Sequence, residues 1–327
     1  MTDKSVCIVG PGAIGGMLAV KLKQAGVAVT ALARPEKAKA VATRGITLHE
    51  DGKTVTETIR AASDPRDLGE HDLVVVTVKS GALLDVAPHL PALSKPGAPW
   101  GLILNGVPWW FFSHFGGVLK GRKLDSVDPN GALEKAYPAD RIVWGVINCA
   151  MVIEDDGSLT HIHSRHIQLG RPDMSVEGLE EIAPIFRAGG YQTDACADIH
   201  DKIWTKLMAN LVFNPLTAIS LATTDLVIND TIGRELAVAL TEEARAIAAK
   251  LGLSQGSSGA ERFPPSRVVG KASTSMLADA KRGRPLEIAP ILGAVVEIGE
   301  LVGVPTPATR MLFGLLRIRN AALAAGF

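Results

Sequence analysis

The stretch VCIVGPGAIGG, residues 6–16, constrains the fold more than any other part of this chain. A continuous apolar run from Val6 to Val9 ends in three glycines, Gly10, Gly12 and Gly15, and a helix-forming segment follows at once. Glycines at this spacing suit a strand that turns sharply into a helix. The first permits the turn, the second lets a ligand approach the backbone, and the third lets helix and strand touch. The helix start presents N–H groups with no intrahelical partner, a setting for phosphate. A dinucleotide-phosphate site at the end of the first strand of a parallel sheet is the expectation.

The next segments agree. Strand-like 5–10, helical 13–26, strand-like 27–33 and the apolar run 72–79 alternate, and strands that read as unbroken apolar runs are buried on both faces. Residues 141–170 are β-branched with an Asp155-Asp156-Gly157 turn signal, predicting extra strands and an antiparallel hairpin. A helix at 178–190 and a short strand-like 191–197 follow. From residue 199 the pattern is helical: 204–220, 231–253, 286–303 and 307–323, with a Ser/Gly/Pro-rich surface connection at 254–273. The expected fold is therefore α/β, an N-terminal Rossmann-like doubly wound sheet with extra antiparallel strands over 1–197 and an all-α C-terminal domain over 198–327.

Composition narrows the partners. Lys plus Arg and Asp plus Glu both total 34, which leaves no net field for nucleic acid or an anionic membrane surface. Cys7, Cys149 and Cys196 are odd in number and lack a CxxC spacing, so a reducing compartment is expected. The opening MTDKSVCIVG holds no apolar region of signal-peptide length, and no apolar run approaches the roughly 18 residues of a membrane span. A cytoplasmic protein is the expectation. His161 and His163 share a strand face, but neither they nor His166 sit at a familiar zinc spacing, so no metal is expected. Oligomeric state is not legible, though the apolar helical half is compatible with a homodimer.

Two polar features stand out against apolar surroundings. In the nearly all-apolar 204–220, Lys206, Asn210 and Asn214 recur every four residues. Such a step advances a helical side chain only about 40° beyond a full turn, so the three form one narrow stripe. Unpartnered polar groups on a buried helix cost about 1–3 kcal/mol each, so the stripe should face a ligand or a wet cleft. Pro215 removes an N–H beside Asn214. The second feature is the end of the second strand, VTALARPEK, which carries Arg34 where an acid would bind the ribose hydroxyl of NAD. Arg34 suits the 2′-phosphate of NADP.

Taken in order, GPGAIGG, VTVKS with Lys79, LNG at 104–106, KLMANLVFNPLTA and SMLADAKRGRPLEI resemble the ketopantoate reductases (2-dehydropantoate 2-reductases) across essentially the whole chain. K-x3-N-x3-N-P-L-T-A is the most specific of these motifs, and Ser275 twelve residues before Glu287 matches as well. The resemblance implies NADPH-dependent reduction of a 2-oxo acid, ketopantoate to pantoate on the way to coenzyme A. It implies Lys206 as general acid, Asn210 and Asn214 as substrate holders, Ser275 and Asn105 at the substrate carboxylate, and Glu287 accepting from a substrate hydroxyl. On the cofactor side it implies Gly10, Gly12, Ala13, Ile14, Gly15, Arg34, Lys79 and Asn105. The residue types agree with the chemistry: hydride addition builds charge on a carbonyl oxygen, and an ordinary lysine, pKa about 10.4, is a protonated donor at neutral pH.

The chain also departs from the pattern. After LNGV it continues PWWFF, so Trp109, Trp110, Phe111 and Phe112 either line the substrate pocket, form core, or make a dimer contact. Thr224 stands where an asparagine is expected, and Ala289 where an acid is expected. A pocket reading would favour a paralogue with a bulkier or more apolar 2-oxo acid. Ser275 also suits a helix cap, and Glu287 a first-turn acid. A non-catalytic NADP-binding sensor would need the glycine turn but not the Lys206 stripe.

Overall fold

The computed structural model describes residues 3–266 and 269–325. The chain forms two compact units, 1–104 with 132–199, and 105–131 with 200–327.

Among the described residues, the strands all belong to the first unit. They are β1 (Ser5–Val9), β2 (Ala28–Leu32), β3 (Ile46–Glu50), β4 (Lys53–Glu57), β5 (Arg60–Ala62), β6 (Leu73–Val76), β7 (Trp100–Leu102), β8 (Ile142–Ile153), β9 (Leu159–Gly170) and β10 (Gln192–Ala195). Six run parallel in the order β5-β2-β1-β6-β7-β8. Strand order reverses at β1, which has its successor β2 on one side and β6 on the other. In open α/β sheets such a switch point is where ligands bind, at the carboxyl ends of the strands. β1 and β6 are buried because helices cover both faces: Val6, Cys7, Ile8 and Leu73 to Val76 are inaccessible to solvent. The Ala13–Gln24 helix contributes Met17, Leu18, Val20 and Leu22 to the same core.

The predicted hairpin at 141–170 is β8 and β9, antiparallel over their length, with Gly157 at positive φ in the turn. A second hairpin, β3 and β4, turns at Asp51-Gly52, both with positive φ. Asp-Gly is the residue pair such a tight hairpin turn favours, because both central positions need the left-handed region. It lies in 46–57, where no strand is read from the sequence above.

The second unit is helical. Its main elements are Ile199–Ser220, Thr231–Leu251, Ser275–Lys281, Ala294–Val302 and Pro307–Ala324, with Gly252 and Gly303 ending two of them in left-handed caps. Trp204 Nε1 donates to Ala244 O at 3.2 Å, tying the first two helices together over fully buried Leu211, Leu240 and Ile247. The Glu243 carboxylate accepts the N–H groups of Ala308 and Thr309, satisfying donors at the start of the last helix. Within 254–273 a short helix, Gly259–Arg262, is held by a Ser258/Glu261 capping box, and Arg267 and Val268 lie outside the described residues.

A division at 197/198 contains no excursion, yet residues 105–131 group with the helical unit. The reason is apolar. Trp109, Trp110, Phe111 and Phe112 are each at most 6% exposed. Phe111 meets His200 at 5.2 Å and Trp204 at 6.2 Å between ring centroids, and Phe115 stacks on His200 at 4.6 Å. The backbone N–H groups of Asp125 and Ser126 both donate to the Glu297 carboxylate at 2.8 Å. Four large rings buried together outweigh the cost of ordering the segment.

Candidate active site

In the sheet unit the glycine turn is built as its spacing demands. Gly10 has φ +86°, and a Cβ there would lie 2.6 Å from Val78 Cγ1. At Gly15 a Cβ would lie 2.2 Å from Thr77 Oγ1 and 2.6 Å from Gly10 O, so only glycine lets the helix seat against the strand end. Thr77 Oγ1 locks that contact by donating to Gly10 O at 2.8 Å. Gly12 differs: a Cβ there would have no neighbour closer than Gly10 O at 4.0 Å. That open side leaves the backbone approachable.

Gly12 caps the Ala13–Gln24 helix without any side-chain hydrogen bond, and Ala13 and Ile14 are its first helical residues. Their N–H groups belong to the helix start, where an anion is favoured. Arg34 is exposed two residues beyond β2 and precedes the Pro35–Arg44 helix. Lys79 is half-buried and extended (φ −67°, ψ 153°) three residues beyond β6. The residues Gly10, Arg34 and Lys79 thus follow the carboxyl ends of β1, β2 and β6, neighbours in one parallel array. A glycine cradle, a free helix start and a guanidinium fit a phosphorylated dinucleotide.

The helical unit gathers a second set. Gly106 (φ +87°) lies so close to Pro290 that a Cβ would fall 2.5 Å from Pro290 O, and the Val107 N–H donates to that oxygen at 2.8 Å. This bond seats the 105–107 turn on a π-helical turn, Ala289–Gly293, in which Leu292 N and Gly293 N both donate to Ile288 O. Such turns recur at functional sites. Thr217 and Thr274 share a 2.7 Å hydrogen bond, tying the long helix to the start of the Ser275–Lys281 helix. Asn214 lies one turn before Thr217, and Ser275 follows Thr274.

These two ties bring Asn105, Asn214, Ser275, Met276, Asp279, Glu287 and Ile291 around one small, partly open cavity. Asn210 joins it at the edge, its Nδ2 3.5 Å from Asn105 Oδ1. Lys206 is half-buried one turn earlier on the same helix and does not line this cavity. Cap duty falls to Thr274, whose side chain accepts the Leu277 N–H, so Ser275 is the first helical residue and not the cap. Glu287 lies two residues before Ala289 and outside the first helical turn. Thr224 is buried and donates to Gly270 O at 2.8 Å, away from the lining set.

Amide and hydroxyl donors, two carboxylate acceptors and an apolar wall of Met276 and Ile291 therefore share one space. Of these, Met276, Asp279 and Ile291 are absent from the sequence reading. Asp279 carried a usable signal, since it stands four residues after Ser275, the same interval as the Lys206 stripe.

The aromatic residues 109–112 do not line the cavity; they are core. Burial drives the pKa of His200 among them down to about 4. His166 meets Asp194 at 2.6 Å and His161 meets Glu50 at 3.1 Å on the sheet unit, and among the described residues no His, Cys, Asp and Glu group could hold a metal ion. No helix among them is long and apolar enough to cross a membrane.

A doubly wound sheet with a phosphate turn at its switch point, and a helical unit with a pocket lined by amides, a hydroxyl and carboxylates, are the parts of a nucleotide-dependent oxidoreductase. Two family models match in succession, Ketopantoate reductase PanE/ApbA over 6–111 and Ketopantoate reductase PanE/ApbA C terminal over 198–320. A 2-dehydropantoate 2-reductase of Mesorhizobium japonicum is 35% identical, the match covering 95% of this chain and 96% of that protein. The chain belongs to the ketopantoate reductase family. A crystal structure of a Ralstonia solanacearum MolK2 protein assigned to the ketopantoate reductases matches with TM-score 0.89 at 38% identity, covering 98% of this chain and 99% of that one. The ternary structure of D-mandelate dehydrogenase with NADH and anilino(oxo)acetate, 21% identical, shares the fold at TM-score 0.82 over 98% of this chain and 99% of that one.

Proposed function

We propose that this chain reduces 2-dehydropantoate to pantoate with NADPH. The observation that carries the reading is a cavity uniting Asn105, Asn214, Ser275 and Glu287 with Met276 and Ile291. 2-Dehydropantoate presents a carboxylate, a ketone, two methyl groups and a terminal hydroxyl. Amide and hydroxyl donors suit the first two, the apolar side chains suit the methyls, and a carboxylate acceptor suits the hydroxyl.

NADPH, when bound, supplies the hydride that adds to the ketone carbon. Asn105, Asn210 and Asn214 orient the 2-oxo acid, and Ser275 donates to its carboxylate. As charge grows on the ketone oxygen, the Lys206 ammonium gives it a proton, then regains one from solvent. Gly12, Ala13, Ile14 and Gly15 supply the backbone N–H groups and open approach for the pyrophosphate, and Arg34 pairs with the 2′-phosphate. Lys79 and Asn105 serve the cofactor side. We also propose a cytoplasmic enzyme, with a homodimer as its assembly, to be read by light scattering.

The test is oxidation of NADPH by the purified chain with 2-dehydropantoate, run beside phenylglyoxylate and repeated with Lys206→Ala. Efficient turnover of 2-dehydropantoate that collapses in the variant is expected. Preference for the aryl acid would move the chain to a paralogue with another substrate. Turnover untouched in the variant would remove Lys206 from the mechanism.

A further inference from the structure

The cavity holds two carboxylates where the reading above uses one. Asp279 is 7% exposed and lines the same space as Glu287. A chain does not bury a carboxylate cheaply, and this one is held from outside by a dedicated loop. After the Ser275–Lys281 helix the backbone folds back at Gly283 (φ +63°), and the N–H groups of Arg282 and Arg284 both donate to Asp279 O, at 3.1 and 2.9 Å. That return places Arg284 Nη2 2.9 Å from Asp279 Oδ1. The guanidinium holds one carboxylate oxygen, its own side chain being 42% exposed, while Asp279 remains among the residues that line the cavity. A lone glutamate would suffice to accept one substrate hydroxyl.

We propose that Asp279 is a specificity-determining residue that filters substrates by charge. Resting on the reading of the cavity as a 2-oxo acid site, it makes the end shared with Glu287 acceptor-rich, so that a 2-oxo acid bearing a neutral hydrogen-bond donor is admitted there and one bearing a second carboxylate is refused. Like charges brought together in a partly desolvated site repel strongly, whereas a hydroxyl donates to either carboxylate. Asn105, Asn214 and Ser275 then receive the substrate's own carboxylate, which fixes the direction in which the acid lies.

Three acids of nearly one shape read this out: 2-dehydropantoate, trimethylpyruvate, in which the hydroxymethyl is a methyl, and dimethyloxaloacetate, in which it is a carboxylate. Each is assayed with NADPH against the native chain and Asp279→Asn, which keeps shape and removes charge. The native chain should rank them hydroxyl, methyl, carboxylate. In Asp279→Asn the kcat/KM ratio of dimethyloxaloacetate to trimethylpyruvate should rise, and that of 2-dehydropantoate to trimethylpyruvate should fall, each roughly tenfold. A merely structural role would lower all three by one factor and leave both ratios in place, overturning the proposal while the reductase reading stands. Equal native turnover of the dicarboxylate and 2-dehydropantoate would overturn it too. Failure of the native chain on all three acids would overturn the reductase reading and the filter with it.

Discussion

The phosphate turn of the sheet unit occupies consecutive positions, Gly10 to Gly15, whereas the cavity of the helical unit draws on separated segments at 105, 214, 275–279 and 287–291. In the first, steric necessity holds at Gly10 and Gly15, where a Cβ would strike Val78 or Thr77 beyond the neighbouring strand, while Gly12 keeps open space on its side. In the second, no lining residue has a positive φ, and position comes from two hydrogen bonds between segments far apart in sequence. A contiguous site is vulnerable at its backbone. A dispersed one is vulnerable at its ties and its side chains.

The largest effect expected from this contrast concerns the side chain outside the cavity wall. Lys206→Ala should lower kcat by about 10²–10⁴-fold while NADPH binding, followed by nicotinamide fluorescence, stays intact. Loss of both together would mean that the cofactor and substrate sites are not separable.

Next in size is a pH effect on the helical unit. The pKa of His200 is lowered from 6.5 to about 4 by burial, so the unfolded chain takes up a proton in a range where the folded chain does not. Stability is therefore intact above about pH 6.5, falls as pH drops toward 4, and levels off below, a loss of about 3 kcal/mol from this group. Urea unfolding across that window should show the slope, and His200→Phe should flatten it. An unchanged slope would assign the acid sensitivity to other groups.

Gly15→Ala should weaken NADPH binding and cost about 1–3 kcal/mol of stability, because the new methyl meets Thr77 Oγ1 and Gly10 O. Gly12→Ala, with open space around it, should spare stability and weaken cofactor binding alone, which thermal melting with and without NADPH separates. The smallest effect belongs to Arg34→Ala. The KM for NADPH should rise roughly tenfold with that for NADH unaltered, and equal changes for both cofactors would remove Arg34 from the 2′-phosphate.

Much of this was legible in residue order. β1, β6 and the Ala13–Gln24 helix announced themselves because sheets covered on both faces read as unbroken apolar runs. The β3–β4 hairpin escaped because its strands, ITLHE and KTVTE, are half-exposed and rich in threonine and charge, so only Asp51-Gly52 marked them. Helical period points to Asn214, the family resemblance implies Asn105, Ser275 and Glu287, and the structure brings the four together. Asp279 is harder to read, because a lone acid near a helix end resembles a solvated one; its four-residue interval from Ser275 hints at a shared face, and its 7% exposure decides it. The aromatic run at 109–112 was ambiguous for a related reason: sequence reports that rings will be buried, not against what.

Local sterics and helical period act over a few residues, so the glycine turn, the polar stripe and the alternation of strands and helices follow from residue order. Which distant segments meet depends on long-range packing that no short stretch encodes. The burial of Phe111 against His200 and Trp204 carries 105–131 into the helical unit, and the Val107 to Pro290 hydrogen bond sets Asn105 beside Ile291. The partners of each residue in the cavity were therefore chosen by the folded core.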